Sequence, residues 1–193
     1  MKVQIILGST RPGRVSERVA KWVANSAGQK DGIQTEVVDL KDYPLEFFNE
    51  PMSPRYNPNR VIAPEVKKWL DKLAEADAYI FVTPEYNHSI PGVLKNALDY
   101  ITSEITHKPA TIVSHGTVGG ARATMHLKEI LSESGAGIIP KQIAIVGAKE
   151  KINEQGELSE DEKANPYGIT ASLDNLLGEL KLYSDALAPA RKK

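Results

Sequence analysis

Five short apolar runs, at 3–7, 35–40, 78–83, 110–114 and 142–146, alternate with stretches whose apolar residues recur at helical spacing. This alternation constrains the fold more than any other feature. A run such as Ala78-Tyr79-Ile80-Phe81-Val82 is apolar at every position, so as a strand it is buried on both faces. Parallel strands need long crossovers, and the intervening segments supply them as helices, expected over 16–27, 63–76, 93–100, 120–133 and 171–186. Pro64 suits the first turn of the second helix. Right-handed crossovers then favour a doubly wound three-layer sandwich with a five-stranded parallel sheet in the order 2-1-3-4-5. A length of 193 residues suits one domain spanning 1–193.

The composition removes several function classes. A net charge of −1 argues against a nucleic-acid partner held by bulk electrostatics. With no cysteine there is no disulfide, thiol chemistry or Cys–zinc centre, which suits a cytoplasmic protein. No apolar run approaches the ~18 residues of a membrane span, and the N-terminus enters strand-like sequence without a leader pattern. The four histidines have no acidic partner at ligand spacing, so no metal site is expected. The hydrolase elbow, the NTPase phosphate loop and the Gly-x-Gly-x-x-Gly dinucleotide loop are all missing.

In a doubly wound sheet, ligands sit beyond the carboxyl ends of the strands. Three unusual loops follow strands there, and the order 2-1-3-4-5 brings them to one edge. Gly8-Ser9-Thr10-Arg11-Pro12-Gly13-Arg14 precedes a helix, whose unpaired N–H groups and positive end favour an anion. Hydroxyls of Ser9, Thr10 and Ser16 add donors, and Arg11 and Arg14 can fork onto phosphate oxygens. The same segment also reads as an ordinary strand–helix turn with solvated arginines. The second loop, 84–92, is braced by Pro84 and Pro91 and carries Tyr86 and Asn87. The third, 115–120, has Gly116, Gly119 and Gly120, so backbone can approach a flat ring. The three together suit a planar aromatic ligand with a phosphate tail. Two further loops are long: 42–60, with Tyr43, Phe47, Phe48 and Tyr56, is expected to pack on a ligand or another subunit, and 150–168 reads as a solvated excursion.

Gly8-Ser9-Thr10-Arg11 with Ser16, followed by Pro84-Glu85-Tyr86-Asn87 leading into Lys95-Asn96-Ala97-Leu98-Asp99, resembles the NADPH-dependent FMN reductase family of flavodoxin-like proteins. The resemblance covers about three-quarters of the chain. It implies FMN as cofactor, NADPH or NADH as cosubstrate, and a hydride passed from NAD(P)H through FMN to a small acceptor such as a flavin or a quinone. It places Ser9, Arg11 and Ser16 on the phosphate, with Pro84, Glu85, Tyr86 and Asn87 along the ring and ribityl chain. Ser114, His115, Gly116 and Gly119 would flank the far side of the ring. Many members carry Ser-x-Asn after the arginine. Here Arg14-Val15-Ser16-Glu17 stands instead, so Arg14 and Val15 join the expected phosphate contacts and Glu17 is expected to point away. The resemblance also implies a homodimer or homotetramer. A flavodoxin-like electron carrier and a non-enzymatic flavin-binding module are the alternatives. The first is opposed by the near-neutral charge and the two loop arginines.

Overall fold

The computed structural model describes residues 1–57 and 59–192. Six parallel strands form one sheet: β1 (Lys2–Leu7), β2 (Gln34–Asp39), β3 (Ala78–Pro84), β4 (Pro109–His115), β5 (Gly137–Ile138) and β6 (Ile143–Ile145). The order is β2-β1-β3-β4-β5, and β6 also pairs with β4. The expected order therefore holds, with one difference. The fifth position is filled by two short strands, where the sequence suggested one over 142–146. β5 pairs with Pro109–Ala110 of β4, and β6 pairs with Val113–His115. Pro140 lies between them and has no N–H to continue the ladder.

Side chains along β3 alternate between two cores, and both are closed. Tyr79 and Phe81 pack with α2 (Pro64–Ala74), α3 (Gly92–Asp99) and α4 (Ala121–Glu133) through Trp69, Leu94 and Leu127. Ala78, Ile80 and Val82 face α1 (Ser16–Gly28) and α7 (Ile169–Leu187) through Val19, Val23, Leu173 and Leu177. This is the period-two pattern of a strand covered on both sides.

The segment 150–168 differs from the expected solvated excursion. It contains α6 (Glu160–Ala164), while α5 (Ala148–Lys151) leads into it, and Ile152 is fully buried. The carboxylate of Glu162 accepts from the Ile169 N–H (2.8 Å) at the start of α7 and pairs with Lys151 (2.9 Å). Ser159 caps α6 by accepting from the Glu162 N–H (3.3 Å), so Ser159-x-x-Glu162 carries the sequence signature of a helix start. Among the described residues, no helix is long and apolar enough to cross a membrane.

The aromatic loop is strapped to α3. The side chain of Asn96 accepts from Phe48 N–H (2.8 Å) and donates to the Glu46 carbonyl (2.7 Å). Phe48 meets Tyr100 edge-on at 5.2 Å, and Tyr43 meets Trp69 at 5.3 Å. Arg60 binds Glu50 and the Tyr100 carbonyl. Phe47, Tyr56 and Val61 stay 85%, 79% and 99% exposed.

Candidate active site

The loops after β1, β3 and β4 meet at one sheet edge around a cleft of about 350 Å³. Arg11, Pro12, Gly13, Arg14 and Val15 form one wall; Pro84, Glu85, Tyr86, His115 and Gly116 form the other. This size lies within the range of small-molecule sites.

Within the first wall and the first turn of α1 that follows it, the N–H groups of Gly13, Val15, Ser16 and Glu17 find no acceptor among the described residues. α1 therefore starts with open donors at its positive end. Arg11 is exposed and stands 5.9 Å from the centroid of the Tyr86 ring. The two serines expected on the phosphate are fully enclosed. Ser9 Oγ pairs with Tyr86 Oη at 2.9 Å, and Ser16 Oγ pairs with His115 Nε2 at 2.8 Å. Their hydroxyls join the walls of the cleft and do not reach into it.

Arg14 is also turned inward. Its guanidinium grips Asp39 at the end of β2 with both terminal nitrogens and donates to the Ser9 carbonyl. Both terminal nitrogens thus engage protein oxygens, while Nε has no hydrogen-bond partner among the described residues. Glu17 points away from the cleft, paired with Lys21 (3.1 Å) and Arg14 (3.6 Å). Lys21, the larger influence, and Arg14 hold its carboxyl below the usual range.

The second wall is shaped by two devices. Tyr86 and Ser89 exchange backbone hydrogen bonds (2.9 and 3.0 Å) around Asn87 and His88, whose φ values are 48° and 67°. That is the left-handed pair of a two-residue hairpin turn. Both are residue types found there more often than most, but any L residue carries some strain in this conformation. Replacing His88 with glycine is expected to raise stability by about 0.5–1 kcal/mol, since lost strain outweighs the added chain entropy. Thermal unfolding checks this, with Tm up by roughly 1–4 °C. The other device is Glu85. Its carboxylate accepts from the backbone N–H (3.0 Å) and Nε (2.7 Å) of Arg122 at the start of α4, which keeps it ionised and fixes the backbone of the loop.

The third loop is pinned from beneath. Ser114 Oγ donates to the Gly119 carbonyl (2.7 Å) and accepts from Thr124 Oγ1 (2.9 Å). Ser114 and Gly119 are buried under the loop, Asn87 is exposed at the hairpin tip, and Gly116 opens on the cleft. Burial holds the His115 pKa down to about 4, so its ring is neutral at pH 7. Sequence reasoning missed Pro12 and Gly13 as cleft residues, and Asp39 and Arg122 as the partners that position it. Asp39 ends β2 and Arg122 follows Gly120, so both stand at carboxyl-edge loops where partners can be sought.

The model of the family described as NADPH-dependent FMN reductase matches residues 1–150. The chain belongs to this family. It is 35% identical over 151 residues to an NAD(P)H-dependent FMN reductase of Schizosaccharomyces pombe, covering 78% of this chain and 76% of that one. An NADPH azoreductase of Bacillus sp. is 32% identical over 196 residues, covering 100% and 98%. Among solved structures, the flavoenzyme NAD(P)H:(acceptor) oxidoreductase FerB from Paracoccus denitrificans shares the fold, with a TM-score of 0.71 at 23% identity over 97% of each chain. As an FMN reductase, the protein is an oxidoreductase that works with FMN and takes electrons from NAD(P)H. The cleft suits that cofactor: N–H donors open among the described residues and the exposed Arg11 guanidinium at one end serve a phosphate, and Pro84, Tyr86 and Gly116 offer a flat approach at the other.

Proposed function

We propose that residues 1–193 act as one domain that holds FMN in this cleft and reduces a small electrophile, such as a free flavin or a quinone, with NADPH or NADH. The observation that carries the reading is the open start of α1 beside Arg11, facing a wall of Pro84, Tyr86 and Gly116 across the cleft. In this reading the phosphate rests on the N–H groups of Gly13, Val15 and Glu17 and on the Arg11 guanidinium. Ser9, Arg14 and Ser16 hold that loop in shape. Pro84, Glu85, Tyr86, His115 and Gly116 border the ring, Asn87 stands at the rim, and Ser114 and Gly119 set the height of the loop beneath. FMN bound there would supply the two-electron redox chemistry. The protein's own task is to position the cofactor and shape the approach.

We propose a homodimer or homotetramer, and exposed apolar side chains between Tyr43 and Val61 support it. Phe47, Met52, Tyr56 and Val61 leave apolar surface in water, and a second copy would cover it at roughly 25 cal/mol per Å². The near-neutral charge and absent cysteines fit a cytoplasmic enzyme with small-molecule substrates and no nucleic-acid or membrane partner.

Two measurements test this. Protein loaded with FMN should show flavin absorbance that bleaches under anaerobic NADPH, and should oxidise NADPH without a partner protein; failure to take up FMN would sink the reading. Arg11→Ala should weaken FMN binding about ten- to a hundred-fold, the value of a hydrogen bond from a charged group of about 1.5–3 kcal/mol. Unchanged affinity would remove Arg11 from the phosphate.

A further inference from the structure

Ser16 and His115 come from opposite walls of the cleft, 99 residues apart in the chain, and are joined by one buried hydrogen bond of 2.8 Å. Ser16 is fully enclosed, so water cannot receive its hydroxyl hydrogen. Its surroundings at the first turn of α1 are N–H donors, and among the described residues its only partner is Nε2 of His115. Were Nε2 protonated, the Ser16 hydrogen would be sealed away without an acceptor, at the full desolvation cost of the group. Ser16 therefore donates, Nε2 accepts, and the neutral ring carries its proton on Nδ1. That second nitrogen has no partner among the described residues and is not closed off, and His115 lines the cleft between Glu85, Gly116 and the phosphate-loop wall. The ring thus offers one unused donor to whatever fills the cleft.

We propose that His115 donates an Nδ1–H hydrogen bond to bound FMN, and that Ser16, by engaging Nε2, is the positioning residue that selects this tautomer. The inference rests on the FMN reading above. It adds that one residue of the helix start holding the phosphate also decides the polarity of the wall facing the rest of the cofactor. A loop shift that opens the Ser16–His115 bond would release the tautomer and loosen both ends at once.

The first test needs no cofactor. Imidazole ¹⁵N resonances of the apo protein at pH 7 should show protonated Nδ1 and unprotonated Nε2 for His115, and Ser16→Ala should turn this into a mixture. A protonated Nε2 in the wild type would overturn the proposal. The second test titrates FMN and records its bound absorption spectrum. His115→Phe should weaken binding roughly three- to tenfold, as for the loss of one neutral hydrogen bond, and shift the bound spectrum. His115→Asn, whose Nδ2 stands near the position of Nδ1, should restore most of both. Equal affinity and spectrum for wild type and His115→Phe would overturn the donor role alone. A wild type that takes up no FMN would overturn the functional reading and the donor role with it.

Discussion

Gly120→Ala is expected to cost about 2–5 kcal/mol of stability and to lower Tm by roughly 5–15 °C. Gly120 has φ 79° at the start of α4, a conformation that L residues adopt with strain. A Cβ there would stand 2.8 Å from Ser114 Cβ and 3.1 Å from both N and O of His115. These atoms belong to β4 and its exit, which are held by the sheet and by the Ser114–Gly119 bond, so they have little room to yield. The distortion falls on His115 and Gly116, both at the cleft, so FMN affinity should drop with stability. Gly13→Ala is the control. Gly13 also has positive φ, at 68°, but its Cβ would meet nothing within 4 Å. It should cost only about 1–2 kcal/mol, from backbone strain alone. Equal losses in the two variants, measured by denaturant unfolding, would show that the packing under the third loop is not what demands glycine.

Arg14→Ala should destabilise the protein by about 3 kcal/mol and lower Tm by roughly 6–12 °C. The Arg14 side chain is 4% exposed and that of Asp39 23% exposed, so removal leaves a carboxylate half-enclosed without its partner. The lower end of the usual range for a broken buried pair applies because Asp39 keeps some access to water and still accepts from the Lys41 N–H (2.9 Å). The Ser9 carbonyl loses a donor in the same step. Arg14→Lys keeps the charge and loses the fork, so it should recover part of the stability. FMN affinity adds a second readout. If Arg14 shapes the loop through Asp39, Asp39→Asn should weaken binding in the same direction as Arg14→Ala, although Asp39 lies on another strand. If Arg14 instead held the phosphate directly, Asp39→Asn would free a fork for the anion and binding would tighten.

The parts legible in the sequence are those that local periodicity encodes. The all-apolar run 78–82 could only be a central strand, and Val66, Leu70 and Leu73 marked the buried stripe of α2. The three loops at the carboxyl edge were also legible, because strand order follows from handedness and the loops follow from the order. What stayed hidden depends on partners far apart in the chain. Nothing near Arg14 announces that Asp39 will take its fork, and nothing near Ser9 points to Tyr86, 77 residues on. A serine in a phosphate-like loop reads as a ligand, and only the fold shows that its hydroxyl also meets a distant side chain. The split of the fifth strand was hidden for a different reason. Gly137–Ile138 is too short to show a period, and its ladder is defined by β4.

That split also bears on how the molecule keeps company with itself. The outer strand of a sheet offers unpaired N–H and C=O groups that another chain can extend, and long flat edges invite fibres. Here the margin beyond β4 is two strands of two and three residues, stepped around Pro140, which has no N–H to offer. An incoming strand would find no continuous row of donors and acceptors to zip along. That side of the sheet is closed to templated growth, and association there is left to side-chain surfaces, which can be specific in geometry and finite in number; the six-residue β2 forms the other margin.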